Sequence, residues 1–201
     1  PAARTSLVLA GACFFLWSTQ NMALLSWLPT YLREVNGLDG AAAARVYALP
    51  VGLIALFNLV AIPILRRGVP IAVLLATVLV AQAALFAATA FTDLAAGLWG
   101  GLLVLTLYGA LAGLTPSCLY GLPAAILGGA ATGAGAFGIL MTGRNLGVLT
   151  GPLMIAGILG VPALADWDGG WGAAAAAVGL TTALSALVAL ALAGRMRRAA
   201  G

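Results

Sequence analysis

Six long stretches of this 201-residue chain hold no charged residue: 5–32, 46–65, 68–92, 94–143, 145–165 and 169–194. No other feature restricts the fold as strongly. A soluble domain carries about a quarter charged residues. Here charged residues make up 7% and hydrophobic residues 63%. That is too little charge to cover a water-facing surface, which excludes an ordinary soluble enzyme. It is also too apolar for a disordered chain. One membrane span needs about 20 apolar residues. The pattern therefore predicts an all-α integral membrane protein, a single domain over 1–201 with six transmembrane helices near 6–28, 43–65, 70–91, 95–117, 132–160 and 171–194. The segments are rich in Ala, Leu, Val and Gly. They lack the alternation that strands of a membrane barrel show.

The charges mark the ends of these spans. Arginine supplies all nine cations, and the five acids are Glu34, Asp39, Asp93, Asp166 and Asp168. Six spans place both termini on one side, together with Arg4, Arg66, Arg67, Arg195, Arg197 and Arg198 and no acid. The other side has Arg33 and Arg45 with all five acids. By the positive-inside rule both termini are expected in the cytoplasm, and the expected setting is the lipid bilayer of a bacterial inner membrane. The net charge of +4 then reflects sidedness. A nucleic-acid surface would need basic residues clustered on a soluble face, and no nucleic-acid partner is expected. Trp27, Trp99, Trp167 and Trp171 fall at the expected outer ends, with Tyr31, Tyr47 and Phe91 nearby. Such rings prefer the headgroup level. Trp17 alone lies deep. The chain begins at Pro1 without a cleavable signal pattern, so it reads as a segment of a longer polypeptide.

Much chemistry is missing. With no histidine, no Ser-His or Cys-His pair can form, and no His-ligated metal site. No span centre carries an acid, so the paired carboxylates of acid–base hydrolysis are absent. There is no lysine for a phosphate-binding loop. No catalytic residue, metal or cofactor is expected, and the chain does not read as an enzyme. Cys13 and Cys118 read as small packing residues. The glycine-rich run 128–138 reads as close helix packing.

The polar residues inside the spans are the candidates for function. Trp17, Ser18, Thr19, Gln20 and Asn21 follow one another near the middle of the first span. Trp17 and Asn21 are four residues apart and share a helix face. Amides in hydrocarbon need partners, so this run either bonds between helices or lines a water-filled cavity for a small polar solute. In the fifth span Gly143, Gly147 and Gly151 repeat every four residues and make a smooth face for a close helix neighbour. Arg144 stands at its margin, followed by Asn145. Counted from 132, Arg144 lies roughly 18 Å into the span, near the middle of a hydrocarbon core about 30 Å thick. Burial there costs at least ~2.5 kcal/mol, and no acid in these spans can neutralise it. It must meet an anionic substrate, a partner segment outside this chain, a hydrated cavity or backbone carbonyls, unless the span boundary is displaced. Pro152 adds a bend or hinge beside the glycine face. Asn58, Gln82 and Tyr108 are weaker signals, Tyr108 being the best of them.

Taken together the chain resembles one six-helix half of a major facilitator superfamily transporter. The resemblance rests on WLPTYLREVNG at 27–37, the short basic turn RRGVP at 66–70, NLGVLTGPLMIAG at 145–157, and DWDGGW at 166–171 before the last helix. The turn carrying Arg66 and Arg67 lacks the acid of the N-terminal signature loop. The resemblance is therefore to the C-terminal half, helices seven to twelve. It implies secondary active transport by alternating access, with a small-molecule substrate at the midplane and a missing N-terminal six-helix half as partner. It also implies that the first and fourth spans line the cavity, through Trp17, Gln20, Asn21 and Tyr108. The glycine face, with Arg144 at its edge, would then lie at the seam between the two halves. A membrane scaffold or receptor-like protein, in which these residues only pack, is the alternative.

Overall fold

The computed structural model describes residues 2–95, 97–129, 133–166 and 168–200, without the side chains of Ala2, Asp93, Asp168 and Ala200. Trp167, part of the expected aromatic belt, and residues 130–132 of the glycine-rich run lie outside the described residues. The described residues form six long α-helices: α1 (Ala2–Glu34), α2 (Gly40–Arg66), α3 (Ile71–Phe91), α4 (Gly97–Leu127), α5 (Ala134–Leu159) and α6 (Trp171–Ala200). Each is long and apolar enough to cross a membrane. The fold is all-α, with six candidate spans where six were expected.

Local chemistry sets the boundaries. Asp39 caps α2, its carboxylate accepting from the Ala42 N–H at 2.7 Å, which satisfies one of the free donors of a helix start. At the far end of α2, Gly68 takes φ +85°, a conformation open to glycine, and Pro70 then caps α3 in extended backbone. The turn 66–70 is thus a helix stop followed by a helix start. The helices overrun the expected spans. α1 continues from 28 to 34 through Pro29, and α4 from 117 to 127 through Pro123. Span counting measures hydrocarbon thickness, whereas a helix continues until a glycine or cap stops it. Gly128 and Gly129, both at positive φ, stop α4.

The connections after α1, α2, α3 and α4 hold at most six residues. At no more than ~3.6 Å per residue they cannot cross the length of the bundle, so successive helices run antiparallel. The longer link 160–170 also turns back, since Gly170 sits against Leu159 at the end of α5. Arg4, Arg66, Arg67, Arg195, Arg197 and Arg198 therefore gather at one end of the bundle, here called the arginine-rich end. Glu34, Asp39 and Asp166 belong to the other.

α1 is the most enclosed helix and α2 the least. α1 packs on α5 and α6, α4 packs on α2 and α3, and α3 packs on α6. Leu59 of α2, Leu149 and Leu153 of α5, and Leu180 and Leu187 of α6 all point outward. Such a surface suits hydrocarbon and would be a large exposed apolar patch in water. The largest core cluster, with Leu7, Phe14, Leu75, Leu79, Leu119 and Leu192, fills the arginine-rich half. Smaller clusters around Ala112 and Val178 fill the other half.

Candidate functional site

Between these apolar halves lies a layer of polar side chains. Gln20 of α1 donates to Gln82 of α3 at 3.2 Å, and Gln82 donates to Thr115 of α4 at 3.1 Å. The Thr115 hydroxyl donates in turn to the Leu111 carbonyl at 3.3 Å. Thr182 of α6 stands 3.4 Å from the Gln20 side-chain oxygen and donates to the Val178 carbonyl at 2.8 Å. All four side chains have no exposed surface. Four helices thus share one closed chain of bonds in which each amide has a partner, as a buried polar group requires. Gln20, expected as a cavity-lining residue, is enclosed in this chain and faces no open space. Gln82, a weak signal in the sequence, sits at the middle of it.

One residue further along α1, Asn21 stands outside this chain and meets α4 directly. The Tyr108 hydroxyl of α4 donates to the Asn21 carbonyl oxygen at 2.7 Å, and both residues are buried. Tyr108 also lies edge-on to Phe86, 5.8 Å between ring centres. One turn before Asn21, Trp17 is buried, packs against Phe14 at 6.0 Å, and its indole N–H has no hydrogen-bond partner. An unanswered buried donor costs about 1–3 kcal/mol, and it shares a helix face with Asn21.

The glycine stripe of α5 lies against α1. A Cβ on Gly143 would stand 2.2 Å from the Gly11 carbonyl oxygen, on Gly147 2.4 Å from that of Phe15, and on Gly151 2.4 Å from that of Thr19. All three obstructions are backbone. The expectation of a close helix neighbour finds α1 as that neighbour. The expectation that this face forms a seam with a second bundle is corrected, because α1 already covers it. Small residues let two backbones approach, and the nearest helix of the same bundle takes the place. Pro152 sits within a continuous helix, its carbonyl accepting from the Trp27 indole at 3.1 Å.

Arg144 lies near the middle of α5, one residue beyond Gly143 and so level with Gly11 to Phe15 of α1. It is half-buried and donates to the exposed Asn145 at 3.1 Å. No ion pair neutralises it among the described residues. The proposed site residues therefore fall into two groups. Asn21 and Tyr108 are brought together between α1 and α4, with Trp17 one turn before Asn21 on α1, and Arg144 with Asn145 stands on the open flank of α5. Arg66 and Arg67 are exposed at the arginine-rich end. Sequence reasoning missed Thr115 and Thr182, because a threonine in a helix ordinarily bonds to its own backbone four residues back. Among the described residues no cluster of three metal-ligating side chains occurs.

No family model matches this chain, and neither does any curated protein or solved structure. What its own residues carry is an all-α protein of six helices long and apolar enough to span a membrane.

Proposed function

We propose that the chain is half of a secondary transporter of the major facilitator type, moving a small polar or anionic organic solute by alternating access. The observation that carries this reading is an exchange relation in the packing. Swapping α1, α2, α3 with α4, α5, α6 turns the α1–α5 pair into α4–α2 and the α1–α6 pair into α4–α3, and leaves α3–α6 and α1–α4 unchanged. All of these pairs are in contact. Because successive helices alternate in direction, α1 and α4 run oppositely. The relating axis then lies in the membrane plane, the 3+3 inverted arrangement nested within each half of such transporters. The polar layer follows the same relation, Gln20 matching Thr115 and Gln82 matching Thr182 by helix.

In this reading the orphan Trp17 N–H and the Asn21–Tyr108 pair offer hydrogen bonds to the solute, on the two helices that the relation exchanges. Arg144 supplies the positive charge and Asn145 steadies it. Gln20 belongs to the scaffold. The positive-inside count places both termini in the cytoplasm, and a second six-helix half completes the cavity. The rival reading, a membrane scaffold, draws on the closed bonding of the polar layer. The test is solute uptake or efflux by the full-length protein carrying Asn21→Ala or Arg144→Ala, with membrane expression matched to wild type. At least tenfold slower transport is expected from Arg144→Ala, since losing a charged contact costs roughly 1.5–3 kcal/mol, and a several-fold loss from Asn21→Ala, since a neutral bond is worth about 0.5–1.5 kcal/mol. Undiminished transport in both would remove the site.

A further inference from the structure

One feature lies outside the solute site. A shallow groove of about 590 Å³ runs between α2 and α4 at the arginine-rich end, lined by Asn58, Ile62, Leu65 and Arg66 on α2 and by Ser117 and Tyr120 on α4. Eight residues separate Asn58 from Arg66, so the groove extends about 12 Å along the helix axis. Its deep end is closed by polar groups that answer each other, the Ser117 hydroxyl bonding to both the carbonyl and the side chain of Asn58. Tyr120 forms a fixed wall, its ring edge-on to Phe14 at 5.2 Å. Ile62 and Leu65 supply apolar lining, and the groove is open along one side. At the rim stands Arg66, exposed and without an acidic partner among the described residues.

We propose that this groove binds one anionic glycerophospholipid, with its phosphate on Arg66 and one acyl chain along Ile62, Leu65 and Tyr120. The charge sits where a headgroup lies, at a helix end, and the apolar lining runs from there toward the bundle middle. A free phosphate would meet Arg66 and leave the aliphatic wall wet. A zwitterionic lipid would cover the wall and bring no net charge to an end that carries six arginines and no acid. Basic pockets between membrane helices recognise anionic headgroups in this way. The inference does not depend on transport.

The experiment uses the full-length protein in neutral detergent, with palmitoyl-oleoyl phosphatidylglycerol or the matching phosphatidylcholine added. Native mass spectrometry counts retained lipid, and thermal unfolding reports stabilisation. Wild type is expected to retain one phosphatidylglycerol with about a fivefold preference over phosphatidylcholine, the size of one arginine–headgroup contact. Arg66→Gln abolishes the preference, and Ile62→Trp, which fills the groove, abolishes retention of both lipids. Arg67→Gln, outside the lining, keeps the preference. Equal retention of the two lipids by wild type overturns the proposal. So does an equal loss in Arg66→Gln and Arg67→Gln, which would indicate diffuse surface charge. Stabilisation by glycerol 3-phosphate alone, at the same concentration, overturns it in favour of a free anion. Should Ile62→Trp fail to fold, the two arginine variants still decide the outcome.

Discussion

At the scale of single residues, the polar side chains of the bundle divide by what answers them. Gln82 both accepts and donates within the closed chain. Gln82→Leu would strand Gln20 and Thr115 without replacing their bonds. Interhelical hydrogen bonds in membranes average about 0.6 kcal/mol each, whereas each buried group left unpaired costs about 1–3 kcal/mol. The second term is larger, so the single variant should lose about 2 kcal/mol of stability. Adding Gln20→Leu should restore part of that loss, because the stranded amide is removed too. Chemical unfolding in detergent of both singles and the double checks this, and simple additivity would argue against a coupled chain. Tyr108→Phe removes one bond at 2.7 Å while keeping the ring against Phe86. We expect a stability change of about 1 kcal/mol and a larger fractional loss of transport. Equal small effects on both would leave Tyr108 a packing residue.

At the scale of elements, the α1–α5 contact depends on three missing side chains. Gly147→Ala would drive a methyl group into the Phe15 carbonyl and the Ser18 Cβ. Overpacking of this kind costs about 1–3 kcal/mol, and both obstructions are close to rigid backbone. Gly157, on the same helix, has nothing within 4 Å of the corresponding position. There alanine should gain up to ~1 kcal/mol from helix propensity. The two substitutions are chemically identical, so opposite signs of the melting shift would isolate the packing contribution. The same contact fixes the level of Arg144 against α1. A displaced α5 should therefore impair transport even with Arg144 intact.

At the scale of the whole molecule, the alternation of helices and the sorting of charge make a statement about sidedness. Single cysteines at positions 67 and 199 should react with a membrane-impermeant maleimide from one side, and a cysteine at 39 from the other. Cys13 and Cys118 are buried and should give little background. Labelling of 67 and 39 from the same side would overturn the crossing of the bilayer by α2.

The sequence by itself determined how many helices form, where they lie along the chain and which ends carry the charges. Those properties follow from the one-dimensional spacing of charges, glycines and prolines, and a turn such as 66–70 can be derived from its own residues. Only the tertiary structure decided which helices touch. The stripe at Gly143, Gly147 and Gly151 announced a close neighbour without naming α1. Gln20 and Asn21 are adjacent in sequence, yet one entered a closed chain with α3, α4 and α6 and the other paired with Tyr108. The reason is physical. A helix apolar all round carries no stripe that points to the core, and lipid tails are as apolar as leucine. Hydrophobicity therefore sets depth in the bilayer and leaves lateral neighbours to shape, to small residues and to the few polar groups that must find one another.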